Sequence, residues 1–253
     1  MFHSQKNNGS RRNHGETIVF FLLVIKGKHR YSFPLAVFFL IFLSFTPCLL
    51  WFIFCLIKQY ITYIQGSFLI MAGVCSVLLS VAARFVLEDI SGFLPAAAGP
   101  FFTALVVTAL PEEVAKMTVL FPFSRDRQSG LPVPLKTFCA RAVCVGLAFA
   151  AFENILFAVR SPRVLLLRYF TAVPLHAACT LFASLWLYRR ISSGDGTQVR
   201  YFTLSAALLF HAVYILMLSS SPSLFVFSAI TAALAFLRAA YIWQSSGEPD
   251  EKY

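Results

Sequence analysis

A chain of 253 residues that is 58% hydrophobic and 13% charged, with a mean hydropathy of +0.75, has too little polar surface for a soluble domain of its size. Its net charge of +10 does not mark a nucleic-acid partner, because the basic residues sit in short clusters between apolar runs: "KGKHR" (26–30), "SRDR" (124–127), "RSPR" (160–163) and "YRR" (188–190). Such clusters are loop anchors at a membrane surface. The composition predicts an all-α fold, a polytopic transmembrane helix bundle of about seven spans (six to eight) of about 20 apolar residues each.

In chain order, residues 1–30 form a basic N-terminal segment. Within it "TIVFFLLVI" (17–25) is too short to span, and "KGKHR" follows it where a signal peptide would have small cleavage-site residues. A transmembrane domain is expected over 31–243. Its first two spans, 31–57 and 60–83, are separated only by Lys58 and Gln59, which predicts a tight hairpin. Arg84, Glu88 and Asp89 read as the next turn. The stretch 92–123 is too long for one plain span and holds Pro95, Pro100 and Pro111. Spans at 138–159, 164–188, 201–219 and 222–243 follow, and a polar tail occupies 244–253. Six cysteines fall inside apolar stretches with no CxxC pair or zinc-type spacing, so they read as small buried hydrophobes.

The informative residues are ionisable groups inside spans. Glu112, Glu113 and Lys116 lie in "TALPEEVAKMTVL" (108–120), Glu153 in the fourth span, His176 in the fifth and His211 in the sixth. A charged group at a bilayer centre costs about 2.5–3.5 kcal/mol on insertion scales, and such residues usually face the bundle interior at a functional site. On a helix Glu112 and Lys116 are i and i+4 and share a face, so Lys116 is expected to hold Glu112 while Glu113 points into the bundle. The competing reading makes "PEE" an ordinary helix start, with both glutamates solvated at a surface.

In "GLAFAAFEN" (146–154), Gly146, Ala150 and Glu153 lie on one stripe, where small residues let a neighbouring helix approach the carboxylate. In "VPLHAACTLFAS" (173–184), Pro174 loosens the helix before His176, and alanines again permit close packing. Carboxylates can act as general bases on water, and histidines can ligate a metal, donate a proton or hold an oxyanion. The same charges could serve a proton- or ion-coupled transporter, with the prolines of 92–123 breaking a helix at its binding site.

Four motifs in order carry a resemblance: "EEVAK" (Glu112, Glu113, Lys116), "GLAFAAFEN" (Gly146, Phe149, Glu153, Asn154), "PLHA" (His176) and "FHAVY" (His211). Together they resemble the PrsW family of membrane-embedded proteases, distantly related to the CAAX-prenyl endopeptidases, with the motif core at 92–219. The resemblance implies hydrolysis of a peptide bond in a membrane-associated protein, such as an anti-sigma-factor-like regulator, in the plasma membrane of a bacterium. Its partners would be a membrane protein or peptide substrate and the lipid bilayer, with no nucleic acid.

Glu112 or Glu113 would activate water, with Lys116 keeping one carboxylate ionised. His176 and His211 would hold a divalent metal such as zinc together with Glu153, or polarise the scissile carbonyl without metal. HExxH is absent. The family usually carries Asn or Asp four residues after the last His, where this chain has Ile215. Asn154 is then the candidate for oxyanion stabilisation. Alternatively, the chain is a non-catalytic adaptor descended from a protease.

Overall fold

A computed structural model describes residues 33–91, 98–160, 165–192, 202–220 and 224–247. The expectations for segment 1–30, for Pro95 and for tail residues 248–253 lie outside these. All regular structure among the described residues is helical, apart from one bridge pair, Arg125 with Pro132. Helix α1 is Phe33–Ile57 and α2 is Tyr63–Ser91. They join through a short turn in which Gln59 takes a positive φ of 57°. The turn expected at Arg84 to Asp89 is helix instead: α2 runs past all three residues to Ser91.

The proline-containing stretch is one broken helical path. Helix α3 (Gly99–Phe102) leads into a π-helical turn (Thr103–Ala109), then α4 (Leu110–Leu120) and a 3-10 turn (Phe121–Phe123). Pro111 explains the wide turn. A proline ring clashes with the carbonyl four residues back and donates no N–H, so the chain before it swells to i→i+5 bonding. The Leu110 N–H accordingly donates to Leu105 O. The last four helices are α5 (Leu135–Arg160), α6 (Leu165–Ser192), α7 (Phe202–Ser220) and α8 (Phe225–Ser245).

Five helices among the described residues are long and apolar enough to cross a membrane. The α5 and α6 helices form the centre, buried along most of their length, with α2 against α5, α4 against α2, and α7 and α8 against α6. The α2, α7 and α8 helices turn Leu78, Phe85, Leu209, Phe236 and Leu237 outward, a surface suited to lipid tails. The chain is an integral membrane protein.

Small residues set the helix spacing. A Cβ on Gly146 would lie 2.8 Å from His176 O and 2.7 Å from Thr180 Oγ1. A Cβ on Gly73 would lie 2.6 Å from Val145 O. Glycine therefore allows α5 to touch both α6 and α2 backbone to backbone. At the end of the bundle away from the charged cluster, Lys136 Nζ donates to Trp243 O at 2.8 Å and lies 4.5 Å from the Trp243 ring centre. Trp51 Nε1 donates to Ala140 O, which ties α1 to the same end of α5. Five cysteines are buried and Cys75 is exposed, and none forms a disulfide.

Candidate active site

The four helices α4, α5, α6 and α7 bring Glu112, Glu113, Lys116, Glu153, Asn154, His176 and His211 into one cluster. Glu112, Glu113, Lys116, Asn154 and both histidines are buried. The solvated reading of "PEE" therefore does not hold. Pro111 and the two acids do start α4, but the π turn ahead of them continues the helical path inside the protein. The Glu112–Lys116 pairing expected from spacing is also replaced. Lys116 Nζ donates to Glu113 Oε1 at 2.6 Å, and Glu112 Oε1 is paired with Arg84 from α2. The i,i+4 geometry was available, but a cation from another helix took Glu112.

Each imidazole is held at one nitrogen by a carboxylate. His211 Nδ1 lies 2.8 Å from Glu113 Oε1, and His176 Nε2 lies 2.9 Å from Glu153 Oε2. A carboxylate only accepts, so in the neutral rings these nitrogens carry the hydrogens and the opposite ones carry lone pairs. Those opposite nitrogens face Glu112 Oε2: His211 Nε2 at 3.3 Å and His176 Nδ1 at 3.9 Å. Lys116 Nζ, which can only donate, stands 3.4 Å from the same His176 Nδ1.

Glu112 Oε2 is buried and makes no hydrogen bond among the described residues. Glu112 Oε2 and His211 Nε2 thus face each other with no proton assigned between them, and His176 Nδ1 beside them has only the long contact from Lys116, an arrangement a divalent cation relieves. Glu112, His176 and His211 each offer one ligand atom within 4.8 Å of the others. Two imidazoles and one carboxylate suit zinc in a three-ligand site with an open position. The carboxylates behind the histidines complete the acid–histidine pairs common at metal centres. The residues fit a divalent metal. Glu153, grouped with the histidines in the sequence reading, lies behind His176 rather than between the two rings.

Arg168 organises that rear layer. Its Nη2 donates to Glu153 Oε2 at 2.6 Å, its Nε donates to Asn154 Oδ1 at 2.9 Å, and its Cζ lies 3.8 Å from the Phe157 ring centre. Asn154 Nδ2 is buried without a partner among the described residues. The Phe149 ring packs on both His176 (5.0 Å between centroids) and Lys116 Nζ (4.6 Å). Ile215 joins the apolar contacts of Ala104, Ala109 and Ala212 against the π turn.

Sequence reasoning passed over Arg84 and Arg168. Arg84 looked like a turn marker because α2 was ended too early. Arg168 sits in the first turn of α6, where an arginine reads as an interfacial anchor. The one available signal was the cost of an arginine flanked by "LLL" and "YF" (165–170).

Comparison with curated proteins and with solved structures returns no match. The family model for PrsW family intramembrane metalloproteases matches residues 62–241, which contain every residue of the cluster. With that match over most of its length, the chain belongs to the PrsW family and is a membrane-embedded peptidase.

Proposed function

We propose that this peptidase cleaves a membrane-anchored protein with water activated by Glu113, and that Glu112, His176 and His211 would hold a divalent metal beside it. The observation that carries the reading is the convergence of two carboxylate-tethered imidazoles on Glu112 Oε2. A bound metal would act as a Lewis acid on the scissile carbonyl and on water.

The chain's own residues supply the rest. Glu113 Oε1 is occupied by Lys116 and His211, whereas its Oε2 is buried, has no partner among the described residues and is available to accept a proton from water. Lys116 Nζ, donating to Oε1 at 2.6 Å, holds that carboxylate in position. Arg168 and Glu153 fix the ring of His176. Asn154, held at its carbonyl by Arg168, keeps its amide N–H free to donate to the developing oxyanion, the role left open by Ile215. The substrate we infer is a membrane-associated regulator of the anti-sigma-factor type, cut in a bacterial plasma membrane. This rests on family resemblance and on a site enclosed by apolar helices.

The test compares new protein N-termini, by mass spectrometry, in membranes from cells expressing wild type or Glu113→Gln at matched abundance. The glutamine keeps an acceptor for His211 and Lys116 but cannot take a proton. Wild-type-dependent termini should fall about 100-fold or more. Equal termini from both proteins would rule out Glu113 as the base.

A further inference from the structure

A peptide bond can be cut inside a helix bundle only after the surrounding segment unwinds. Unwinding in a low-dielectric environment leaves main-chain carbonyls without donors, at a large free-energy cost unless the enzyme supplies them. Among the described residues the charged cluster has two buried, unpartnered acceptors, Glu112 Oε2 and Glu113 Oε2, and two buried, unpartnered donors, Arg84 Nε and Asn154 Nδ2. The acceptors suit cation and water. The donors call for oxygen atoms that the described residues do not provide.

Of the two donor side chains, Arg84 is the nearer to the surface, with its Nε buried just beneath it. Its side chain is 31% exposed, against 13% for Glu153 and 3% or less for Glu112, Glu113, Lys116 and both histidines. It therefore links the bundle surface to Glu112 Oε1, inside the cluster. A neutral acceptor fits better than an anion. Arg84, Lys116 and Arg168 already face three carboxylates, Glu112, Glu113 and Glu153, and exposed Glu88 lies one turn further along α2.

Resting on the peptidase reading above, we propose that Arg84 is a substrate-binding residue whose Nε–H takes a main-chain carbonyl of the unwound segment, while its terminal nitrogen keeps Glu112 in place. Binding of an extended chain then depends on the arginine fork and not only on a positive charge.

The experiment uses the full chain carrying Glu113→Gln in detergent micelles, with fluorescein-labelled casein as the extended-chain probe, read by anisotropy. Arg84→Lys keeps a cation for Glu112 but lacks the Nε–H, and Arg84→Met lacks both. Both should weaken casein binding about tenfold. Metal per chain and melting temperature of Arg84→Lys should match those of its parent.

Affinity unchanged within about twofold would overturn the proposal. So would weakening of Arg84→Lys that only accompanies lost metal or a lowered melting temperature, or a parent that does not bind casein. Failure of the Glu113 chemistry is a separate outcome. It would show as unchanged N-termini in membranes, with casein binding still dependent on Arg84.

Discussion

Glu153 makes no approach to the point where Glu112 and the two imidazoles meet, yet it decides which nitrogen of His176 is free to face them. Its carboxylate takes the Nε2 hydrogen at 2.9 Å, and Arg168 in turn holds that carboxylate at 2.6 Å. Glu153→Gln keeps the size but weakens both charge-assisted bonds and leaves the Arg168 charge without its partner. Loss of such a support behind a ligand typically costs 10–100-fold in metal affinity. Competition between the protein and a chromophoric chelator should show a loss of about that size. An unchanged affinity would mean that the ring of His176 is fixed by Phe149 packing alone. Lys116 shows the same logic: fully buried between Glu113 and His176, it is stable there because both neighbours accept from it.

At the scale of helices, the site depends on two departures from regular packing. The π turn at Thr103–Ala109 removes the clash of Pro111 and adds a residue to the path, which rotates Glu112 and Glu113 relative to α3. The second is the contact of α5 with α6 at Gly146. A methyl group there would press on the His176 carbonyl at 2.8 Å, and backbone can yield only by moving the helix. Gly146→Ala should therefore destabilise the protein by about 1–3 kcal/mol, as overpacked cores do, and displace His176 from Glu112. Gly99→Ala, where an added Cβ meets nothing within 4 Å, serves as the control and should stay within about 0.5 kcal/mol. Thermal unfolding of the two variants in micelles gives the comparison. Equal stability would mean that α5 and α6 can separate without cost at this level.

For the molecule as a whole, the charged cluster ties α2, α4, α5, α6 and α7 to one another through Arg84, Glu112, Glu113, Glu153, Arg168, His176 and His211. A ligand that binds this arrangement stabilises all five helices together. With metal at about 100 times its dissociation constant the gain is about 2.7 kcal/mol. Treatment with a chelator should lower the melting temperature, and added zinc should restore it. The same treatment of Glu112→Gln should have a much smaller effect. A melting temperature indifferent to chelator in the wild type would argue against the Glu112, His176 and His211 site.

The amino-acid sequence by itself determined the fold class and most of the buried cluster. Charge-free runs of about 20 residues have few alternatives to spanning a bilayer, and a carboxylate or imidazole within one is costly enough to mark itself. Glu112, Glu113, Lys116, Glu153, His176 and His211 stood out on that ground before any contact was known.

What only the tertiary structure decided is who partners whom. Spacing along one helix offered Lys116 to Glu112, but Arg84 arrived from α2 and Lys116 turned to Glu113. Chemistry alone grouped Glu153 with the histidines, yet the packing of α5 on α6 put it behind His176 and left Glu112 in front. Helical periodicity fixes the face on which a side chain lies. The partner it meets there is set by how neighbouring helices cross, and here that crossing depends on Gly146, Gly73 and the π turn before Pro111.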